Sequence, residues 1–431
     1  MDSPSATIPR PARDVPVAFR TQVLVCGGGP AGTAAAIAAA RQGAKVTLLE
    51  RYNHLGGLAT GGLVLVLPHF RDHGRPTIGG IGREIREALA ATGEAAFRHL
   101  PHDDSCTFDP EALKWQSVKL CHEAGVQVLH HCWLSDVVTS PQSTPWKGVG
   151  DEARRITGVI FESKAGTRAV LADVVVDCTG DGDIFAWAGC EFEKSDQAIG
   201  LPFRVGGVDV DAWMAWVEKH PDDSREVWDS LTDAIGWPDS MFYISPLYLQ
   251  AGVLWGNNYY RVADGLDPAA LSEVDIGARL RIRQALDILR QRLPGWEGAW
   301  LIDTASQLGV RRSRRLVGLQ RLTEAETGTP DYRHPDAIGR GNDFRKADSA
   351  YDIPYGCLVP REVDGLLTAG RCISCSDEAL EPIREIHVCW VTGEAAGTAA
   401  ALAVQAGVSP REVAVGALQQ RLGAAGVAFA D

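Results

Sequence analysis

Hydrophobic positions come in unbroken runs at the start of this chain. An apolar run from Thr21 to Cys26 leads into glycines, an alanine-rich stretch from Pro30 to Arg41 follows, and a second apolar run, Lys45 to Leu49, ends at Glu50. Unbroken runs predict strands buried on both faces, and the alanine stretch predicts a helix lying flat on their sheet. An amphipathic pattern over 77–100 predicts a second helix. Another begins at Phe108-Asp-Pro-Glu-Ala-Leu113, with Asp109 as N-cap and Pro110 at the first helical position. Val126 to Val138, Ile156 to Phe161 and Ala169 to Asp177 read as strands, and 140–150 as a loop. A long helical pattern spans Leu271 to Leu293, and 325–350 is polar and loop-like. Gly365 to Gly370 is a strand ending in a turn, Thr392 to Ala403 a helix of small residues, and 409–425 a terminal helix capped by Ser409.

The texture of the two ends is alike, and the middle differs. Eight of the twelve tryptophans lie between Trp187 and Trp300. The expected organisation is a flexible arm over 1–20, a discontinuous nucleotide-binding domain over 21–200 and 351–431, and a substrate or cap lobe over 201–350. With 431 residues there is enough chain for two packed lobes. A net charge of −13 with no long basic run argues against nucleic acid. No run of about 18 apolar residues is present, so no membrane span is expected. Ten scattered cysteines, several in apolar runs, fit reduced thiols and a cytoplasmic setting. Cys372-Ile-Ser-Cys375 has redox-dithiol spacing but no second C-x-x-C accompanies it, so no metal is expected.

The first run carries chemistry. Gly27, Gly29 and Gly32 stand in G-x-G-x-x-G register between strand and helix, and Glu50 lies 23 residues after Gly27. Gly27 permits the tight turn, Gly29 lets backbone N–H groups approach a pyrophosphate, and Gly32 lets the helix pack on the sheet. Glu50 can accept from a ribose. The residues alone allow NAD or FAD.

Several further segments resemble the FAD-dependent oxidoreductases of glutathione-reductase-type fold, the broad bacterial group distantly related to fumarate reductase flavoproteins. They are Glu50 to Gly62, Phe108 to Leu113, Asp177 to Asp183, Gly309 to Gly318, Ile353 to Pro360, Leu366 to Ser374 and Gly393 to Gly397. The likeness covers 21–200 and 300–425 and is weak between. It implies an α/β fold: a Rossmann-like FAD-binding domain with an inserted α+β substrate lobe. It implies non-covalent FAD. Gly27, Gly29, Pro30, Ala31, Gly32, Glu50 and Arg51 would take the ADP half, with Leu134, Gly180 and Asp183 nearby. Gly57, Leu58, Ala59 and Thr60 would line the flavin side, and Gly370, Arg371 and Gly393 would meet the rest.

For chemistry, His387 and Asp377 are the candidate proton-transfer groups, and Arg384 a candidate anchor for a carboxylate or the flavin C2=O. Arg311 and Asn258 are candidate substrate contacts. Arg311, Arg314 and Arg315 would share one face if 310–318 is helical. The expected activity is oxidation of a small or medium-sized metabolite by hydride transfer to FAD, with oxygen or a carrier taking the electrons. The alternatives are an FAD monooxygenase using NAD(P)H, for which Asp181-Gly182 is a faint sign, a redox-neutral lyase or isomerase, and a flavin-binding partner subunit. Substrate, electron acceptor and oligomeric state stay open.

Overall fold

The computed structural model describes residues 8, 12–72, 75–97, 104–141, 154–235, 242–247, 249–346 and 349–430. Its largest sheet has eight strands. Val17–Cys26 lies parallel to Val46–Leu49 on one side and to Gly166–Asp177 on the other. Gln127–Leu129 and Leu366–Thr368 extend this parallel core. Val23 to Cys26, Val46 to Leu49, Val174 to Asp177 and Leu366 to Thr368 are buried, which explains the unbroken apolar character of the central strands. Gly166–Asp177 serves two partners in turn. Its first half forms an antiparallel hairpin with Arg154–Ser163, and its last three residues pair with Leu366–Thr368.

Two helices cover the parallel core. Pro30–Arg41 starts with proline at its first position, where a missing N–H does no harm, and buries Ala31 through Ala39. Ile386–Ala406 lies on it and ends at Gly407, which adopts the left-handed conformation that closes a helix. Their contact is very close. A Cβ on Gly393 would stand 2.1 Å from the Ala31 carbonyl oxygen, and one on Gly397 would stand 2.0 Å from that of Ala35. Gly393 is therefore a helix-packing residue.

A second sheet of four antiparallel strands runs in the order Phe242–Pro246, Leu254–Asn258, Phe203–Gly206, Trp300–Thr304. The long helix Pro268–Arg292 accompanies it and buries Val274, Ala278, Ile282, Ala285, Leu286 and Leu289. This α/β architecture, with a parallel nucleotide-binding core and an α+β lobe, is the expected fold class.

Several local expectations need correction. The first strand begins at Val17, inside the expected arm, because its start pairs with Ala169. The rest of that arm lies mostly outside the described residues, as does most of the 140–150 loop. The 310–318 segment is extended: Arg314–Leu316 pairs with Phe192–Lys194, so the three arginines share no helical face. The small-residue helix starts at Ile386, six residues before Thr392. The terminal helix is Val415–Ala424, after a separate turn, Pro410–Glu412, capped by Ser409.

Glu394 joins the helices. One oxygen accepts the Ile81 N–H at 2.8 Å, near the start of helix Gly80–Ala91. Burial raises its carboxyl to about 7, against the pull of that hydrogen bond. A raised acid pKa in the fold means the neutral form is preferred there. Its stabilising effect is full below the unfolded value near 4.5 and is lost as pH rises through about 7. At 1.36 kcal/mol per unit the loss is at most about 3 kcal/mol. Glu394→Gln keeps an acceptor for Ile81 and removes the titration. Its urea midpoint should fall less between about pH 5 and pH 8 than the wild type's. Parallel curves for the two proteins would show that Glu394 does not carry this dependence.

Candidate cofactor and substrate site

The fingerprint opens onto a cavity of about 1500 Å³. That exceeds the roughly 300–1,000 Å³ of a typical single-ligand pocket, so a dinucleotide and a second molecule fit together. Gly27, Gly29, Pro30 and Ala31 form one wall. Gly27 has φ +100°, and a Cβ there would stand 2.5 Å from the Cys178 carbonyl oxygen. On Gly32 a Cβ would stand 1.8 Å from the Gly27 carbonyl oxygen, so this glycine shapes the turn and does not line the cavity. Gly29 differs. A Cβ there would meet nothing nearer than Gly57 Cα at 4.0 Å, so its free side faces open space. Gly29 is also the N-cap of helix Pro30–Arg41, with no side chain capping it. Free N–H groups at a helix start, beside a glycine that leaves space, suit a diphosphate.

The second glycine turn packs on the first. Gly56 N–H donates to the Gly28 carbonyl at 2.8 Å, and Gly57, at φ +49°, leaves room for Gly29. Gly57, Leu58 and Ala59 line the cavity. Thr60 instead turns inward, donating to the Leu55 carbonyl at 2.7 Å. Glu50 lines the cavity with its carboxylate already aimed: its oxygens accept Gly28 N–H at 2.6 Å and Tyr52 N–H at 2.8 Å. Two of about four acceptor positions stay available for a ribose. Arg51 lies over Tyr52 and Trp133, and Leu134 lines the same end.

The turn after Gly166–Asp177 lies beside the fingerprint, on the neighbouring strand, and continues the lining. Buried Asp177 accepts Thr179, Ile184 and Phe185 N–H groups and so fixes that turn. Gly180, Asp181 and Asp183 line the cavity. Arg371 donates to Asp181 at 2.9 Å, and the lack of a side chain on Gly180 makes room for its guanidinium. Burial opposes ionisation of Asp181, but the Arg371 charge and hydrogen bond hold it below the usual carboxylate range. Asp183 is pushed up to about 6 by burial and by the charges of Asp181 and Asp177, although Arg314 pairs with it at 2.5 Å. Gly370, at φ +83°, donates its N–H to Thr392 and lines the cavity beside Arg371.

The candidate catalytic and substrate residues divide. Arg311 and Arg384 line the cavity. His387 does not: it is fully buried, with Nε2 2.7 Å from Asn342 Oδ1 and Phe70 stacked on its ring. Burial, then the charge of His69, lowers it to about 3, so it is a neutral ring joining a helix to a loop. Asp377 is also off the cavity, in ion pairs with Arg312 and Arg315. Asn258 is completely buried and exchanges two 2.7 Å hydrogen bonds with the backbone of Leu201, while its neighbour Asn257 lines the cavity. Strand alternation puts only one of the two on the cavity side.

Sequence reasoning also missed cavity residues. Glu385, at the N-cap of helix Ile386–Ala406, lines the cavity beside Arg384, and its carboxyl is raised by burial. Phe344, Arg345 and Lys346, from the polar stretch read as a plain loop, line it too. Of the tryptophans, Trp255 and Trp133 reach it, whereas Trp213 and Trp296 pack edge to face in the core. All ten cysteines are free and buried, and burial pushes the Cys375 thiol up to about 12, which removes its thiolate at neutral pH. Among the described residues no cluster of ligands could hold a metal ion, and no helix is long and apolar enough to cross a membrane.

Residues 22–422 match the family model described as FAD dependent oxidoreductase. The chain is 30% identical over 318 residues to a 6-methylpretetramide 4-monooxygenase of Streptomyces rimosus, covering 71% of this chain and 69% of that protein. Similar solved structures include a geranylgeranyl bacteriochlorophyll reductase-like protein of Thermoplasma acidophilum (15% identity, TM-score 0.46, 94% of this chain and 83% of that one). Another is a p-nitrophenol 4-monooxygenase of Pseudomonas putida (11% identity, TM-score 0.47, 94% and 84%). The Streptomyces relative corrects the expectation of a dehydrogenase or oxidase reduced by its own substrate, because that relative is a monooxygenase.

Proposed function

The chain belongs to the FAD-dependent oxidoreductases, an enzyme family whose FAD this protein holds without a covalent bond, and on that premise we propose that it is a monooxygenase driven by NAD(P)H. The observation that carries this reading is the 30% identity to the 6-methylpretetramide monooxygenase across most of both chains. The substrate is a small molecule. Ten free, buried thiols support the cytoplasm as its compartment.

When bound, FAD would supply the redox chemistry of a monooxygenase, whose overall reaction consumes NAD(P)H and a proton, places one atom of O₂ in the substrate and releases the other as water. The chain's own residues do the rest. Gly27, Gly29 and Glu50 would hold the ADP half, and Arg371, paired with Asp181, would border it with its remaining N–H donors. Gly57 to Ala59 and Gly370 would border the ring system. Leu58, Val64, Val66, Leu308 and Phe344 line the cavity with apolar groups that exclude water.

Anaerobic photometry tests the proposal. NADH or NADPH should bleach the flavin without any organic substrate. In air with ¹⁸O₂, a fused-ring phenol that speeds NAD(P)H consumption should gain one labelled oxygen. A flavin that neither nicotinamide reduces, at any phenol concentration, would overturn the reading.

A further inference from the structure

Among the described residues, the buried arginines around the cavity meet carboxylates, with one exception. Arg371 meets Asp181 at 2.9 Å, Arg384 meets Glu381 at 2.8 Å, and Arg345 meets Asp343 at 2.7 Å. The buried arginines Arg315 and Arg340 likewise meet Asp377 at 2.8 Å and Asp352 at 3.0 Å. Arg311 is only 9% exposed and lines the cavity, yet among the described residues no carboxylate lies within 4.0 Å of it. Its hydrogen bonds go to two backbone carbonyls, those of Ala198 at 2.9 Å and Gly309 at 3.3 Å, both through Nη1. Its guanidinium lies 3.9 Å from the centre of the Tyr259 ring, which also lines the cavity.

A buried charge without a counter-charge is costly, and proteins keep one where a ligand completes it. The guanidinium fork matches a planar oxyanion, and the tyrosine ring beside it matches a flat conjugated body. We propose that Arg311 is the anion-binding residue of the substrate site, and that the substrate presents to it an ionised oxygen group, carboxylate or phenolate, carried on a conjugated ring. Burial pulls the Arg311 guanidinium down to about 10, with the nearby charge of Arg384 adding to this and Tyr259, Glu381 and Glu385 opposing it, which leaves it cationic at neutral pH with no carboxylate in contact. The inference rests on the monooxygenase reading only for the second occupant of the cavity.

The test is binding to the FAD-loaded enzyme in the absence of NAD(P)H, followed through the flavin spectrum at about pH 8. Two probe pairs are used: anthracene carboxylate against anthracene carboxamide, and alizarin against its dimethyl ether. For at least one pair the wild type should bind the anion tenfold or more tighter than its neutral partner, on the order expected for a charge-assisted contact in a buried site. The pair that shows the preference identifies the oxyanion. Arg311→Gln should abolish the preference while flavin released per chain stays at the wild-type level. Arg311→Lys, which keeps the charge and loses the fork, should retain part of it. No preference in the wild type for either pair, or an undiminished preference in both variants, overturns the assignment. So does loss of flavin from both variants, which would make Arg311 part of the cofactor's site. Because no nicotinamide is present, failure here is distinct from failure of NAD(P)H to reduce the flavin.

Discussion

Gly29→Val is expected to fold and to emerge from purification without flavin. Gly29 has an ordinary backbone conformation, φ −68°, so a side chain strains nothing. The new Cβ would point into open cavity, with only Gly57 Cα at 4.0 Å. It would stand where a diphosphate must approach the N–H groups of helix Pro30–Arg41. Losing two charge-assisted hydrogen bonds costs about 3–6 kcal/mol, a weakening of FAD binding by roughly 10²–10⁴-fold. The checks are the flavin released per chain after gel filtration and the far-ultraviolet circular dichroism of the same fraction. Native dichroism with one FAD per chain would remove Gly29 from the cofactor's path.

Gly397→Val should do the reverse and damage the fold itself. Its Cβ would stand 2.0 Å from the Ala35 carbonyl oxygen, a backbone atom in a helix that cannot yield locally. The two helices must separate, which undoes the burial of their alanine faces. Overpacking of a core contact costs typically 1–3 kcal/mol, and a forced separation of two helices belongs at or above the top of that range, about 3 kcal/mol. The urea midpoint should drop accordingly, or the protein should be recovered only in the insoluble fraction. Gly416 supplies the control. It lies in helix Val415–Ala424 with nothing within 4 Å of an added Cβ. Gly416→Ala should raise the unfolding free energy by about 0.5–1 kcal/mol, the ordinary helix-propensity gain, and the midpoint with it. If both substitutions behave alike, close helix approach is not what Gly397 provides.

The contrast among glycines shows what the chain's sequence makes legible. The turn of Gly27, Gly29 and Gly32, with Glu50 at its spacing, is local, and its strand and helix neighbours are local too. Fold class and dinucleotide binding therefore follow from short-range pattern. Which side chains face the cavity does not. His387 was expected near a flavin because it precedes a small-residue helix. That helix begins a turn earlier, so His387 sits inside it, and a partner in a distant loop, Asn342, claims its ring. Asn258 and Asn257 differ by one step of strand alternation, and nothing in the sequence states which face is outward. The run from Arg311 to Arg315 would present one arginine face only if it were helical, and pairing of Arg314–Leu316 with Phe192–Lys194 makes it extended instead. Asp377 then becomes the counter-charge of two of those arginines. The activity was misjudged for a related reason. The family landmarks lie in the nucleotide-binding parts, where all members share a cofactor, and the stretch from 200 to 300, which brings Trp255, Asn257 and Tyr259 to the cavity, carries few of them.

The contact between helix Pro30–Arg41 and helix Ile386–Ala406 also bears on biosynthesis. Its two sides are made about 350 residues apart, and at roughly 5–20 residues per second the ribosome needs some 20–70 s to deliver the second after the first. Through that interval the first helix has no lid for the alanine face that Gly393 and Gly397 later cover. The nucleotide-binding core is thus begun before the four-stranded sheet is translated and completed only after it, and in between a nascent chain carries an uncovered alanine face that can aggregate.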